Sequence, residues 1–528
     1  FNQFHDILAG TSIEPAYEEA RDQLGEASAI AARAMNLAIQ SIARRIELPD
    51  VPESQPVVVF NPHPWPVRQV VELEFGGFMA ADGLVDEADR PVPVQETQSY
   101  ATASDWRKRI CFEADLPSLG YRTYRVRRGA PRATSPAVRA WDTTLENGLV
   151  RVTFDPATGR MTELIVRDGT EPVNLADPSR PRAVVVDDTS DTWGHRALAY
   201  REVVGEFEAT RVEMIESGPV RAILRVVSRF GLSTLTEDFV LAAQSPVVEW
   251  RVLVDWREPA RMLKLRTPTA LRRAGATYEV PYSTIVRPMD GAEEPGQRWV
   301  DVTGAIDGAD GAFGVAVLND SKYGFDVLEG SIGVTGLRSP IYAHHDPAVP
   351  KPGIRYQYQD IGFQRFTLAI LPHAGAWEDA GVPRRAVELN VRPTTLTESP
   401  HRGDLPPAMS FAAVDSPDVV LGALKRAEDS DDLVLRLVES HGRAGQVRGR
   451  LGDAEFEVEI GAWQVRSWRL PADGGAPIEV NLLEEAVSAA AVEHAAEADG
   501  QTNRGAGPPI AEPDRPEPDP PAVEPLGV

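Results

Sequence analysis

The strongest constraint on this chain is a strict period of two. In Val248–Trp256, the side chains of Val248, Trp250, Val252, Val254 and Trp256 fall on one side of an extended strand. Glu249, Arg251 and Asp255, with Arg257 just beyond, fall on the other. Successive side chains of a strand point to opposite faces, so this alternation belongs to an antiparallel sheet with one face in a core. Ala222, Leu224 and Val226 against Arg221 and Arg225 repeat the pattern. Val57, Val58, Val59 and Phe60 run into a turn at 61–64, and 67–75 and 120–126 read as further strands. Residues 144–153, a Gly-containing turn at 155–159, and 161–166 read as a hairpin. No strand–helix alternation is visible, which excludes a parallel α/β domain in this sequence. The fold class is mainly β, built of antiparallel β-sandwich domains.

One stretch breaks the period. Between 14 and about 48, Ala20, Leu24, Ala27, Ala31, Ala34, Ala38 and Ile42 recur at spacings of three and four, the signature of a helix. Gly25 weakens it locally without ending it. Thr11 and Glu14 have the spacing of a capping box at its start. Pro49, Pro52 and Pro56 are expected to stop it. A stripe so rich in Ala permits close helix–helix approach, so this helix is expected to be one member of a bundle.

A chain of 528 residues is long enough for several cores. The expected organisation is a bundle helix with the end of a preceding region at 1–50, then a small β domain at 51–130. A large β-sandwich at 131–395 and a small one at 396–490 follow, and an acidic, Pro-rich tail at 491–528 is expected to be disordered. The boundaries rest on a basic and Pro cluster at 129–136 and a Pro- and Thr-rich stretch at 392–407. The net charge of −25 argues against nucleic acid as a partner. No apolar run approaches the roughly 20 residues that cross a bilayer. The single Cys111 excludes an internal disulfide framework and favours a cytoplasmic setting. Oligomeric state is open.

The chemistry concentrates at the start, where His5 and Asp6 lie side by side among Phe4, Ile7 and Leu8 and precede a Gly10-Thr11-Ser12 turn. The run from Phe1 to Ile13 resembles the zinc-site motif of the α-mannosidases of glycoside hydrolase family 38, Asn/Gln-Phe-His-Asp-Ile-Leu-Pro-Gly-Ser/Thr, with Ala9 where Pro is usual. Two later runs are similar to motifs of the same family. Glu279-Val280-Pro281-Tyr282-Ser283-Thr284-Ile285-Val286-Arg287-Pro288 carries Ser283 in place of Gly, and Leu318-Asn319-Asp320-Ser321-Lys322-Tyr323-Gly324 matches throughout. Leu337-Arg338-Ser339-Pro340 and Leu371-Pro372-His373 fall at familiar positions, so the likeness covers most of 1 to about 483. The resemblance implies that His5 is one of four ligands of a divalent zinc whose open position takes mannose hydroxyls. It implies that Asp6 accepts hydrogen bonds from sugar hydroxyls. It also implies a large super-sandwich, with an α/β catalytic domain lying before the motif and absent from this chain. A retaining glycosidase needs two carboxyl groups roughly 5 Å apart. In the family both come from that upstream domain, so no catalytic nucleophile or acid is assigned here.

Other candidates have plain readings. Asp187-Asp188 and Asp431-Asp432 sit in polar turn contexts and read as solvated loop. Residues 191–196, Asp-Thr-Trp-Gly-His-Arg, could stack on a sugar or form a sandwich-edge loop around a partly buried Trp193. His344-His345-Asp346 resembles a metal cluster in composition, but adjacent side chains point apart, so it reads as exposed loop. Asp320, Tyr323 and Arg338 fit either the outer edge of a site or structural turns. The leading expectation is the C-terminal part of a retaining, zinc-dependent α-mannosidase acting on α-mannoside oligosaccharides, inactive by itself. The alternative is a non-catalytic β-sandwich protein that binds carbohydrate or a partner.

Overall fold

The computed structural model describes residues 5–77, 82–103, 106–133, 138–167, 171–195 and 197–487. The tail from 491, expected to be disordered, lies outside the described residues, as does Phe1 to Phe4 of the opening motif. The described residues of Phe1–Ala423 and Arg436–Val465 form one compact unit, and those of Leu424–Leu435 and Arg466–Val528 a second.

The fold is mainly β, and every strand pairing within its sheets is antiparallel where a register is defined. At its centre is a nine-stranded sheet in the order 208–217, 221–230, 233–242, 248–256, 362–374, 313–319, 299–305, 272–280 and 283–287. Val248–Trp256 alternates buried and half-buried side chains as its sequence requires. Its inner face shares one hydrophobic core with a six-stranded sheet that includes Ala183–Asp187, Arg261–Thr267 and Ser331–Arg338. A five-stranded sheet built around Val150–Phe154 and Met161–Val166 joins the same core. The expected hairpin is present, but 144–153 is two strands rather than one. Asn147 breaks it, its Oδ1 accepting the amides of Leu149 and Val150 in a tight turn.

The charged side of a strand does not always face water. Arg221 was expected outward with Arg225, yet it is buried, with Glu72 and Glu216 around its guanidinium. The far face of the nine-stranded sheet is covered there by Val67–Gly76, part of a smaller sandwich. That smaller sandwich packs a sheet containing Ser54–Asn61 and Gly120–Arg128 on a three-stranded sheet of Val67–Gly76, Arg107–Leu116 and Val94–Thr97. Residues 57–60 are buried on both faces. Val57 and Val59 enter the small sandwich core, while Val58 and Phe60 meet Ala43, Ile46 and Leu48 below the helix. The chain returns to this sheet after residue 392: Thr394–Thr397 pairs with Ser54–Asn61, and Ala408–Ser410 with Gly120–Arg128.

The long helix runs Glu14–Ala43. Its start corrects the capping-box expectation. The helix cap is Ile13 with no side-chain hydrogen bond, so Glu14 opens the first turn rather than closing it. Thr11 spends its hydroxyl on the Asp6 carboxylate instead, and Pro15 occupies the first turn, where its missing N–H costs nothing. Its end precedes the three prolines. Ile46 and Leu48 are drawn into bridges with Leu405 and His401, which compete with a further helical turn. Leu24, Ile30, Met35 and Leu37 are 40–59% exposed, and the helix has no bundle neighbour among the described residues.

Near the end of the first unit, Ala412–Val414, Gly445–Leu451 and Ala454–Ile460 form a three-stranded sheet, with the last strand close to the expected 455–460. In the second unit, Ser467, Trp468 and Arg469 pair with Val480, Glu479 and Ile478, and Arg466 is ion-paired with Glu479.

The large core contains a charged pair the alternation pattern does not announce. Glu237 lies on the inner face of Ser233–Ala242 and is fully buried, bound by Arg182 and by the Trp250 indole N–H at 3.0 Å. Removing one partner strands the other charge in apolar surroundings. Glu237→Ala is therefore expected to cost about 3–5 kcal/mol. The double variant Arg182→Met/Glu237→Leu should recover most of that loss, as read from denaturant midpoints.

Candidate functional site

The His5-Asp6 pair sits on a single helical turn, His5–Leu8, in front of the long helix. His5 adopts φ 51°, a left-handed backbone that is uncommon for a side chain of this size. Its imidazole is 78% exposed, and its Nδ1 lies 3.9 Å from Asp6 Oδ2. Asp6 is held from behind. Thr11 Oγ1 donates to Asp6 Oδ1 at 2.9 Å, while the Thr11 amide and the Tyr17 hydroxyl donate to its backbone carbonyl. Those bonds fix one carboxylate oxygen and leave Oδ2 on the exposed side with His5.

The turn is fastened to the large sandwich. Gln359 Nε2 donates to the Gly10 carbonyl at 2.8 Å, and the rings of Tyr17 and Tyr342 lie 5.9 Å apart. The partner segment, roughly 338–360, leaves the strand Ser331–Arg338 and returns to Gly362–Ala374. Tyr342, Gln359 and Asp360 carried no signal in the sequence that tied them to His5, because nearly 350 residues separate them and only the fold closes the gap.

Arg338 organises the next layer. It donates through Nε to Asp188 Oδ2 at 2.6 Å and through Nη2 to Ser190 Oγ and the Asp191 carbonyl, both at 2.8 Å. Its Nη1 reaches the Thr192 carbonyl at 3.1 Å. Loss of water around the guanidinium works against its charge, but the bonds to Asp188 outweigh that and raise its pKa. Asp188 is therefore no solvated loop carboxylate; it is buried and consumed by Arg338, while its neighbour Asp187 pairs with Arg261 at 2.5 Å. Asp431 pairs with Arg426, and Asp432 accepts the Ala472 amide at 2.9 Å, so that couple is structural within the second unit.

Two segments read separately from the sequence meet here. Asp191 accepts His195 Nδ1 at 2.6 Å and the Asp346 amide at 2.9 Å, binding the 191–195 loop to 344–346. His345 then packs edge-on against Trp193 at 4.9 Å and against His195 at 4.8 Å. Trp193 remains 41% exposed. His344 bonds the Ala348 carbonyl instead of joining this group. His345 is exposed and lies in a loop, as expected; what the sequence did not show is that it completes a ring cluster with Trp193 and His195. The Asp191–His195 spacing of four was a usable signal, since one helical-type turn lets the carboxylate meet both the amide and the ring of the later residue.

Asp320 and Tyr323 divide. Asp320 fastens its turn through the Thr367 amide at 3.0 Å, whereas Tyr323 is 50% exposed. Between them, Lys322 lies over the Phe366 ring. Loss of solvent pushes Lys322 down and Asp360 up against their mutual attraction. Cys111 is not a nucleophile, since it is fully buried and burial pushes its thiol up to about 12. No three His, Cys, Asp or Glu side chains converge on a metal position among the described residues, and no helix is long and apolar enough to cross a membrane.

These features define a scaffold of β-sandwiches that carries an exposed His-Asp turn beside an aromatic loop cluster. Comparison with known proteins places that scaffold. Residues 145–348 match the glycosyl hydrolases family 38 C-terminal domain, and 418–503 match the glycosyl hydrolases family 38 C-terminal beta sandwich domain. Two segments of the chain thus resemble the two C-terminal domains of that family. It is 28% identical over 467 residues to alpha-mannosidase 2C1 of Homo sapiens, covering 84% of this chain and 39% of that protein. With alpha-mannosidase G of Dictyostelium discoideum the figures are 25% over 496 residues, 84% and 42%. An alpha-mannosidase from Enterococcus faecalis V583 shares the fold at TM-score 0.74 and 14% identity, over 88% of this chain and 61% of that one. The chain spans about two-fifths of the length of the curated relatives it matches.

Asp191 is where the geometry makes a pH prediction. Burial raises a carboxylate, but here the Asp346 amide, the His195 ring and the His195 amide together outweigh it and hold Asp191 well below the ordinary range. A depressed folded pKa means the stabilisation is complete above the unfolded value of about 3.9 and is lost as pH falls below it. Asp191→Asn is expected to lower Tm throughout the neutral range. The gap to the parent should close only below about pH 4, as calorimetry at a series of pH values would show.

Proposed function

We propose that this chain is the C-terminal part of a retaining, zinc-dependent α-mannosidase that removes terminal α-linked mannose in the cytoplasm. The observation that carries this reading is the attachment of the His5-Asp6 turn to the large sandwich through Gly10–Gln359 and Tyr17–Tyr342. It presents an exposed imidazole and a half-exposed carboxylate on a fixed support. The relatives named alpha-mannosidase, matched over 84% of this chain, supply the reaction class.

Among the described residues, no group of side chains composes a zinc site by itself. His5 offers one imidazole, where a catalytic zinc takes several protein ligands and an open position. We assign His5 as a single ligand, with the others, and the two carboxyl groups a retaining mechanism requires, coming from sequence outside these 528 residues. Zinc, when bound, would orient the sugar through its hydroxyls. Asp6 would accept a sugar hydroxyl at Oδ2 while Thr11 holds Oδ1 in place. Trp193, with His195 and His345 behind it, would offer an apolar face to the part of the oligosaccharide beyond the cleaved residue. No step of bond cleavage is assigned to a residue of this chain.

His5→Ala in the complete enzyme is expected to remove zinc from the purified protein and to abolish release from an aryl α-mannoside. Full activity with unchanged zinc content would refute the ligand assignment. The 528-residue chain alone is expected to be inactive on the same substrate.

A further inference from the structure

A cavity, remote in sequence from the His-Asp turn, lies within the first unit where Pro281, Tyr282, Trp299, Val387, Val438 and Trp463 converge. Its volume is about 390 Å³, which lies within the range of small-ligand sites. Three independent features mark it as more than a packing gap.

The first is backbone strain. Tyr282 occupies the tight turn between Arg272–Val280 and Ser283–Arg287 at φ 61°. A turn with Pro at its second position and positive φ at its third ordinarily takes Gly at the third, because a Cβ there crowds the carbonyl. Trp463 also holds positive φ, 59°. They are the only Tyr and Trp residues with left-handed backbone among the described residues, and both line this cavity. Strain of this kind persists where the surrounding structure over-determines it, and it clusters at ligand clamps.

The second feature is an unmet donor. The indole Nε1 of Trp299, a lining residue only 1% exposed, is buried without a hydrogen-bond partner. A buried N–H left unpaired costs free energy, and such a group calls for an explanation beyond packing.

The third is charge balance. Arg298 and Glu279 line the cavity and bond each other through Arg298 Nε, 3.2 Å from both Glu279 oxygens. A neutralised pair of this kind offers polar edges without favouring an anion or a cation. Tyr282, 62% exposed at the mouth, supplies the apolar face. Aromatic walls, a buried donor and a neutral polar pair together suit a ring that is apolar on one face and rich in hydroxyls at its edge.

We propose that this cavity is a second carbohydrate-binding site that takes a neutral pyranoside, separate from the site at the His5-Asp6 turn. It serves to hold a distal sugar of a glycan and takes no part in cleavage. Tyr282 stacks on the ring, Trp463 lines the cavity with it, and the Glu279–Arg298 pair binds hydroxyls.

The test is saturation-transfer NMR with methyl α-mannopyranoside and methyl β-glucopyranoside on the full 528-residue chain, with Kd taken from the titration. Saturable binding is expected for at least one of the two. Tyr282→Gly is the decisive variant, because it relieves the backbone strain as it deletes the stacking ring. It should raise Tm and weaken binding about tenfold or more, while Tyr282→Phe should bind within about twofold of the parent. Trp193→Ala and His5→Ala should leave this binding unchanged. Absence of saturable binding by both pyranosides, or binding that Tyr282→Gly leaves intact, would overturn the proposal. So would equal binding of a purely apolar probe such as indole, which would make the cavity a hydrophobic pocket.

Discussion

Trp250 and Trp256 lie fully buried on one face of a single strand, and the rest of the molecule is arranged around the surface they need covered. Burying side chains of this size requires a second layer about 10 Å away along the whole strand. The sheets containing Ala183–Asp187 and Met161–Val166 supply it. Each indole N–H must also find an acceptor inside the core. Trp256 donates to Ser339 Oγ at 2.7 Å, and Trp250 to Glu237. Glu237 in turn requires Arg182, so the buried ion pair follows from the tryptophan that needs an acceptor. Ser339 follows Arg338 directly in the chain, so the core contact and the loop-ordering guanidinium are set by the same strand end.

That strand end links fold to function. Arg338 gathers four of the five loop positions 188–192, by bonding carboxylate, hydroxyl and two carbonyls. A planar fork of five donors does this without rearrangement, and a lysine could not. The loop it orders presents Trp193 and His195. The segment that follows Arg338, 340–360, brings His345 against that loop and holds the Gly10 carbonyl through Gln359. The sandwich thus works as a rigid mount: surface groups far apart in sequence keep fixed places because a packed core stands behind them.

The matched C-terminal domains of glycosyl hydrolase family 38 agree with this division of labour. The carboxylates found here are largely engaged. Asp188 is bound to Arg338, Glu249 to Arg251 and Arg392, and Glu146 to Arg139, Arg151 and Arg167. Surrounding arginines hold Glu249 down to about 2 despite its burial, and a carboxylate so stabilised as an anion is a poor proton donor at neutral pH.

The sequence by itself determined the antiparallel β class, the strand Val248–Trp256, the hairpin around 155–159, the long helix and the family motifs. Each of these is written in local periodicity or in a contiguous run. It misjudged the helix cap and the burial of Arg221 and Asp188, and it did not bring Trp193, His195 and His345 together. Those depend on what the chain brings opposite: Thr11 faces a carboxylate, Arg221 faces a second sandwich, and His345 faces a loop about 150 residues earlier. Alternation tells which side a residue takes, not whether that side meets water or another layer. Only the tertiary structure decided that, because burial of a polar group is settled by the partner that crosses to satisfy it.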